Sequence, residues 1–316
     1  MESPRDAEAD EASSTRPLDV SIVIVHWNVA HLLAGCLRSV KAEVTRVGLS
    51  ADIVVVDNAS PDRRYRDIVR AFAGVELLEL EQNRGYAAGC NAGIQHTAGD
   101  AVLLLNPDTE LTSGSLKTLL DTLQIAPHVA MTAPMLLDID GSIQSAGYRF
   151  PGVANVLFDL FPLHRRLLES PLNGRMPVGD GVQPIRIDYP LGAAMMLRRS
   201  ALNAIGLLDE GYGMYSEEID LAHRLADAGW TTLLSPAARI LHHGGQSTGQ
   251  RPDAMHEALW FSRATYFERF ASPRQRALIA AIVTAGMRRA DRQATPERRA
   301  TNARIRQRYR QIARRR

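Results

Sequence analysis

The fold prediction rests on the stretch Leu103-Leu104-Leu105-Asn106-Pro107-Asp108-Thr109. Its apolar part continues a run from residue 101, and a short continuous apolar run is typical of a strand buried on both faces. The strand must end at Asn106-Pro107, because proline cannot donate a hydrogen bond to a sheet. Ligands of open parallel sheets bind just beyond the carboxyl ends of the strands, where a carboxylate such as Asp108 suits a divalent cation. An ordinary turn after the strand is the alternative interpretation.

Two earlier apolar runs, at residues 20–25 and 52–57, and an alternating pattern at residues 75–80 predict three further strands, and segments of helical periodicity separate them. Strands that alternate with helices pair in parallel through right-handed crossovers, which predicts an α/β domain. The second half is less regular, with strands predicted at residues 129–137, at 188–198 and from 238 onward. Frequent proline and glycine between residues 147 and 184 predict a long irregular insertion, and such insertions are typical of binding loops or lids.

The composition bounds the class of protein. The chain has 316 residues, a net charge of +2 and two cysteines, Cys36 and Cys90. Two cysteines support neither a disulfide scaffold nor a cysteine metal cluster, and they fit a reducing compartment. No segment has the roughly 20 consecutive apolar residues that a membrane-spanning helix needs. We therefore expect a cytoplasmic protein.

The two ends of the chain differ in charge. Residues 1–17 are polar, rich in acidic residues and without the apolar block of a signal peptide, and are predicted to be disordered. Residues 288–316 are dominated by arginine and are predicted to form a basic tail. Together with the apolar residues 277–285, this tail predicts peripheral attachment to an anionic membrane surface, at the inner face of the cell membrane. A docked helix followed by a solvated tail is the alternative, and we do not expect nucleic acid as a partner.

Polar clusters follow three of the first four predicted strands. They contain Asp57, the triplet Asn83-Arg84-Gly85, and Asn106 with Asp108. Because ligands of an open α/β sheet bind where the strand order reverses, these side chains predict a nucleotide site there. Asp57 is alternatively a helix cap, and the sequence has neither a G-x-G-x-x-G nor a Walker motif.

Two later segments carry acidic or imidazole side chains. A helix is predicted to begin near Ser216, a good N-cap residue, after a glycine-rich aromatic loop. Its first turn contains three acidic side chains: Glu217, Glu218 and Asp220. Acidic residues at this position also complement the helix dipole, which is the alternative reason for their presence. Further on, His242-His243 followed by two glycines predicts a metal ligand, because imidazole binds metals and pairs with carboxylates.

Taken together, these stretches resemble a glycosyltransferase of family 2, specifically its rhamnosyltransferase-like branch. The motifs that carry the resemblance occur in the family's order at residues 21–28, 54–60, 83–91, 105–108, 192–194, 215–224 and 242–247. The resemblance implies a GT-A fold, an α/β architecture in which a mixed, mostly parallel sheet is flanked by helices. A C-terminal helical extension follows it here.

The resemblance also implies transfer from a nucleoside-diphospho-sugar donor, with a divalent cation (Mg²⁺ or Mn²⁺) and inversion at the anomeric carbon. At the matching positions, Asp108 and His242 would bind the cation, and Glu218 would be the catalytic base. Asp57 would hydrogen-bond the pyrimidine base of the nucleotide. The further substrate-binding candidates are Asn83, Arg84, Asn91, Asn106, Asp108, Gly192, Ala193, Glu217 and Asp220.

The sequence departs from the family pattern at two positions. Asn106 stands where the Asp-x-Asp motif has its first aspartate, which weakens the charge of the cation site. Glu218 stands where aspartate is commoner, which changes the reach of the base but not its chemistry. We expect neither change to inactivate the protein.

The predicted domains are a disordered segment at residues 1–17, a glycosyltransferase domain at 18–250, a helical segment at 251–287 and a basic tail at 288–316. The expected reaction moves rhamnose, from a dTDP- or UDP-sugar, to a hydroxyl of a glycan or polyprenyl-linked acceptor in cell-envelope polysaccharide synthesis. Two alternatives remain: a sugar-nucleotide-binding module without turnover, and a nucleotidyltransferase. A nucleotidyltransferase should have a glycine-rich, basic phosphate loop near the first strand, whereas His26-Trp27-Asn28 leads directly into a helix.

Overall fold

The computed structural model describes residues 19–144, 147–162, 164–168, 170–176, 181–244 and 252–315. The prediction of disorder at residues 1–17 lies outside this part of the chain. The described elements build a ten-stranded sheet, a small two-stranded sheet and the helices that cover them.

The first half alternates strands and helices, as predicted. Its elements are β1 (Val20–His26), α1 (Ala30–Val47), β2 (Ala51–Asp57), α2 (Tyr65–Arg70), β3 (Val75–Glu79), α3 (Tyr86–His96), β4 (Ala101–Leu105), β5 (Thr109–Leu111) and α4 (Ser115–Gln124). The four strands predicted in this half are therefore confirmed as β1, β2, β3 and β4.

The second half contains shorter strands and longer helices. Its elements are β6 (Val129–Leu137), β7 (Ile143–Gln144), β8 (Gly147–Tyr148), α5 (Val153–Leu160), α6 (Arg165–Leu168), a 3₁₀ turn (Pro171–Asn173), β9 (Ile185–Ile187), β10 (Tyr189–Pro190), β11 (Ala194–Arg198), α7 (Arg199–Ile205), α8 (Glu217–Asp227), β12 (Thr231–His242), α9 (Pro252–Phe270), α10 (Pro273–Ala290) and α11 (Pro296–Arg314).

The strand order of the large sheet is β3-β2-β1-β4-β11-β6-β12-β5, with β7 beside β6 and β9 beside β12. Because β1 pairs in parallel with both β2 and β4, the chain runs outward from β1 to β3 and then returns to the other side of β1. β11 is antiparallel to β4, and Ala194 lies opposite Leu105. The carboxyl ends of β1 and β4 therefore meet the amino end of β11. The predicted mixed, mostly parallel sheet flanked by helices is confirmed.

β4 is buried on both faces, as its continuous apolar run predicted. Leu103 and Leu105 belong to the core under α1, whereas Leu104 belongs to the core under α3. Burying one such leucine stabilises the fold by about 1.5–3 kcal/mol. α3 lies very close to β1, because Gly93 has no Cβ and a Cβ there would overlap Val23.

Two predictions for the middle of the chain are wrong. Most described residues of the supposed irregular insertion at 147–184 form short elements, among them β8 and α5. α5 is stable because Val156 is buried against the distant C-terminal helices, a contact that local sequence does not reveal. The single strand predicted at 188–198 is two strands, of which β10 pairs with β8 and β11 with β4. Pro190 ends β10, since it has no N–H for further pairing.

β12 begins at Thr231, whereas the sequence predicted a strand from residue 238. Its register against β6 shifts between Ser235 and Arg239. Pro236 lies in that shifted segment and cannot donate to the ladder, which explains why the first part of the strand is hidden in the sequence pattern.

The prediction that residues 288–316 form a basic tail is wrong, because most of this segment is the helix α11. Ile305, Tyr309 and Ile312 recur at spacings of four and three residues, and all three are fully buried against the other C-terminal helices. Within the described residues, no helix combines the length and hydropathy needed to cross a membrane.

Candidate active site

A cleft of about 430 Å³ opens where the carboxyl ends of β1 and β4 meet the amino end of β11. The strand order reverses at this point, which is where open α/β sheets bind ligands. The cleft brings together eight of the predicted site residues: Asn83, Asn106, Asp108, Gly192, Ala193, Glu217, Glu218 and His242.

Asp108 and His242 are neighbours in the cleft wall. Oδ1 of Asp108 lies 3.7 Å from Nε2 of His242, and the pairing of β12 with β5 places His242 opposite Thr109. The Asp108 residue is only 6% exposed, yet its Oδ1 has no hydrogen-bond partner in the structure. A buried carboxylate oxygen without a donor is costly unless an ion or water faces it. This oxygen therefore suits a cation.

Gln144 fixes the orientation of the His242 ring. The amide nitrogen of Gln144 donates to Oδ1 of Asp138 and to the carbonyl oxygen of His242, so its Oε1 faces Nδ1 of His242 at 2.9 Å. We assign the ring proton to Nδ1 on this basis, which leaves the lone pair of Nε2 directed at Asp108. Burial lowers the pKa of His242 and favours the neutral, metal-binding form.

His243 does not belong to this arrangement. Its Nε2 lies 3.1 Å from Oε1 of Glu110, and its backbone N–H donates to the carbonyl oxygen of Asp108. His242 lines the cleft and His243 does not. The geometry thus distinguishes the two adjacent histidines and favours His242, the position that the family resemblance implied.

α8 begins with two carboxyl groups at the cleft. Glu218 is half-buried, Glu217 is only 5% exposed, and Oε2 of each is buried without a hydrogen-bond partner. Burial raises the pKa of Glu218 to about 7. Burial and the neighbouring Glu218 charge raise the pKa of Glu217 well above its usual range. A carboxyl group that titrates near neutral pH is suited to general-base catalysis.

The backbone before α8 is strained. Tyr215 and Ser216 have φ values of 70° and 68°, in the left-handed region that costs non-glycine residues about 1–3 kcal/mol each. Ser216 occupies the predicted N-cap position, but its side chain makes no capping hydrogen bond, so that part of the prediction is wrong. The strained turn directs the first turn of α8 into the cleft.

Glycines bring the walls of the cleft close together. Gly85 has a φ of 92°, and a Cβ there would overlap the carbonyl oxygen of Gly213. A Cβ at Gly192 would lie 3.6 Å from Cγ of Glu218. The hydroxyl of Tyr86 donates to the carbonyl oxygen of Gly192 at 3.3 Å. These contacts hold the backbone at Gly192 against the Glu218 carboxyl group.

Asp57 does not line the cleft. It is fully buried; Nδ1 of His26 lies 2.9 Å from its Oδ1, and the N–H of Ser60 donates to its Oδ2. Burial raises the pKa of Asp57, but the hydrogen bonds from His26 and Ser60 outweigh this effect and the net pKa is lowered. The next residue, Asn58, lines the cleft in its place. Contact of Asp57 with a nucleotide base stays a prediction that this geometry does not support.

Arg84, Asn91 and Asp220 also lie outside the lining. Their partners are Glu210 for Arg84, Leu208 and Glu210 for Asn91, and Tyr212, Arg224 and Arg269 for Asp220. These bonds tie the segment before α8 to α3 and α9. Donor binding by the three residues stays a prediction, and the structure gives them a positioning role.

Several lining residues were missed by sequence reasoning. They are Val25, Trp27, Asn58, Tyr86, Leu191, Met214, Tyr215 and Met255. Trp27 and Asn58 directly follow β1 and β2, so their position at strand ends was a usable signal. Met255 belongs to α9, and no local pattern links this helix to the cleft.

Residues 21–206, more than half of the chain, match the family model described as glycosyl transferase family 2. The chain belongs to this family. A Mycobacterium tuberculosis relative named N-acetylglucosaminyl-diphospho-decaprenol L-rhamnosyltransferase is 32% identical over 222 residues, which cover 63% of this chain and 69% of the relative. A low-salt glycan biosynthesis hexosyltransferase of Haloferax volcanii is 26% identical over 65% of this chain and 61% of its own.

Two solved glycosyltransferase structures share the fold. The mannosyltransferase PcManGT from Pyrobaculum calidifontis, in complex with GDP-Man and Mn²⁺, has a TM-score of 0.56 at 17% identity, over 95% of this chain and 88% of that one. GalNAc-T7 with UDP, GalNAc and Mn²⁺ also has a TM-score of 0.56, at 19% identity, over 71% of this chain and 43% of that one. The GT-A fold prediction is confirmed, and this family 2 protein is a glycosyltransferase. The nucleotidyltransferase alternative has no support.

Proposed function

We propose that this protein is an inverting glycosyltransferase that moves a sugar from a nucleoside-diphospho-sugar to a hydroxyl group of a glycan or lipid-linked acceptor. The observation that carries the proposal is the content of one cleft. It contains a carboxylate–imidazole pair suited to a diphosphate-bound cation, Asp108 with His242, and a carboxyl group with a pKa of about 7, Glu218. Donor activation and acceptor deprotonation both need such groups.

Asp108 and His242 would hold a divalent cation, Mg²⁺ or Mn²⁺. The unpartnered Oδ1 of Asp108 and the free Nε2 lone pair of His242 fit a hard or borderline cation. No cluster of three or more potential ligands occurs among the described residues, so the donor diphosphate and water would complete the coordination. When bound, the cation would supply electrostatic stabilisation of the charge that develops on the leaving diphosphate.

Glu218 would act as the general base. Its carboxylate form accepts the proton of the acceptor hydroxyl as that oxygen attacks the anomeric carbon, a contribution of typically 10²–10⁴-fold. The start of α8 places this carboxylate at the cleft, next to the backbone at Gly192. Glu217, only 5% exposed, lies beside it at the start of α8.

The proposed sugar is rhamnose, carried by dTDP or UDP, and the proposed acceptor is polyprenyl-linked. The support is the mycobacterial relative, whose name describes L-rhamnosyl transfer to a decaprenol-linked diphosphosugar. Such an acceptor would place the protein in the synthesis of a cell-envelope polysaccharide. It would also bring the protein to the inner face of the cell membrane.

A panel of donors tests this function. The full-length protein would be incubated with Mn²⁺ and, as the acceptor, N-acetylglucosaminyl diphosphate linked to a short prenyl chain. Four donors would be added in separate reactions: dTDP-rhamnose, UDP-rhamnose, UDP-N-acetylglucosamine and GDP-mannose. We expect transfer of rhamnose, with inverted anomeric configuration in the product by NMR. Transfer of another sugar, or a product with retained configuration, would contradict the proposal. Donor binding without turnover would favour the binding-module alternative.

A further inference from the structure

A second concave surface lies far along the chain from the residues of the cleft, between α10 and α11. This groove, which we call the α10–α11 groove, has a volume of about 440 Å³. Its floor is apolar and consists mainly of Ala280, Ala281, Ala285 and Ala313. Its edge carries three exposed arginines, Arg288, Arg310 and Arg314. No carboxylate is among its described lining residues.

Arg288 lies on α10, and Arg310 and Arg314 lie on α11. Four other guanidinium groups of α11 form ion pairs: Arg298 with Asp253, Arg304 with Glu257, Arg306 with Asp291 and Arg308 with Glu268. The guanidinium groups of Arg288, Arg310 and Arg314 make no hydrogen bond or ion pair with any residue that the structure describes. Three positive charges without a neutralising carboxylate therefore lie together at the groove.

The apolar floor continues on the surface of α10. Leu278 is 51% exposed, and residues 278, 281, 285 and 288 follow one another at helical spacing, so they share a face. The face thus changes from Leu278 through two exposed alanines to Arg288. An apolar strip that ends in unpaired guanidinium groups is complementary to an anionic amphiphile, because a guanidinium binds phosphate in a bidentate manner.

We propose that the α10–α11 groove docks this protein on the anionic phospholipids of a membrane surface. The proposal goes beyond the sugar-transfer function, since none of these residues lines the active-site cleft. The predicted basic tail is thereby replaced by a groove between two helices. A nucleic acid fits less well, because the groove offers no aromatic side chain on which a base would stack.

Vesicle co-sedimentation of the full-length protein tests the proposal. Vesicles would contain phosphatidylcholine alone or with phosphatidylglycerol. Each arginine near an anionic surface contributes about fivefold to binding, so Arg288→Gln/Arg310→Gln/Arg314→Gln should weaken binding to the anionic vesicles about 100-fold. Binding should fall as salt rises.

The matched control removes the same charge elsewhere. Arg38, Arg186 and Arg239 are exposed on the sheet domain, and like the groove arginines their guanidinium groups form no ion pair with a described residue. Arg38→Gln/Arg186→Gln/Arg239→Gln should leave vesicle binding nearly unchanged, because distant charges are screened. A single change on the apolar face, Leu278→Glu, should also reduce binding without disturbing the buried core.

Three results would overturn the proposal: equal vesicle binding by the groove variant and wild type, equal losses in the groove and control variants, and tight binding of an RNA duplex with none to vesicles. Activity on a soluble acceptor, measured without vesicles, should be the same in the groove variant and in wild type. If wild type itself shows no sugar transfer, the proposed function is wrong, but the vesicle-binding result still stands. The two proposals can therefore fail independently.

Discussion

Nε2 of His242 lies 3.7 Å from Oδ1 of Asp108, and the two atoms face each other across a gap that neither bridges with a hydrogen bond. The strand pairing that brings His242 opposite Thr109 creates this relationship over more than 130 residues of sequence. Gln144 holds the imidazole so that its free lone pair points into the gap. The arrangement is preformed and supports the proposed cation site.

The first prediction concerns metal-dependent binding. Asp108→Asn keeps the shape of the side chain but removes its charge, so Mn²⁺-dependent binding of dTDP or UDP should be lost in calorimetry. His242→Ala should weaken the same binding. His243→Ala is the control and should bind normally, because its ring faces Glu110. Equal effects of the two histidine changes would refute the assignment of His242.

The second prediction concerns the pH dependence of turnover. Burial raises the pKa of Glu218 from an ordinary 4.5 to about 7, and only the deprotonated form accepts a proton. At saturating donor, kcat/KM for the acceptor should therefore rise with pH and level off above about 7. A rate already at its plateau near pH 5 would mean that another group is the base.

The third prediction concerns stability. Burial raises the pKa of Glu217 above its value in the unfolded chain. As pH rises above the unfolded pKa, the unfolded chain ionises first, so the free energy of unfolding falls. Glu217→Gln removes this cost. Its free energy of unfolding should exceed that of wild type at about pH 8, and the difference should vanish near pH 4. Asp121→Asn, on the exposed face of α4, is the control and should show no such crossover.

The fourth prediction concerns the loop before α8. Gly85 and Gly114 have φ values of 92° and 84°, so alanine is strained at both positions by about 1 kcal/mol or more. Only at Gly85 would the new Cβ overlap the backbone of Gly213. Gly85→Ala should therefore lower both the midpoint of thermal unfolding and kcat/KM well beyond any effect of Gly114→Ala, with kcat/KM measured at a temperature at which both variants are folded. Equal activity in the two variants would show that the close approach of Gly85 to Gly213 is not needed for catalysis.

The sequence identified the elements whose signal is local. The apolar runs of β1, β2 and β4 are continuous, β3 contains both apolar and acidic residues, and polar residues that follow β2, β3 and β4 lie at the predicted edge of the sheet. Asp108 and Glu218 were found for this reason, since one follows a strand and the other begins a helix. The two residues lie in one cleft because of the order of the strands in the sheet. That order was implied by the resemblance to the family, not by any local pattern.

Features that depend on distant contacts were not predicted. Asp57 was predicted to bind a ligand, but its carboxylate is buried and hydrogen-bonded to His26 and Ser60. α11 was hidden by its composition, because arginine dominates the segment and masks the spacing of Ile305, Tyr309 and Ile312. That spacing was a usable helix signal. The approach of α9 to the cleft through Met255 has no counterpart in the local sequence.

Single-turnover kinetics of Glu218→Gln test the central claim most directly. Glutamine keeps the size of the side chain but cannot take a proton, so donor binding should stay near the wild-type level while the rate of transfer falls by about two or more orders of magnitude. Glu217→Gln is the matched comparison and should retain most of the rate. Transfer at the wild-type rate in Glu218→Gln would contradict the account and move the role of base to Glu217 or Asp220.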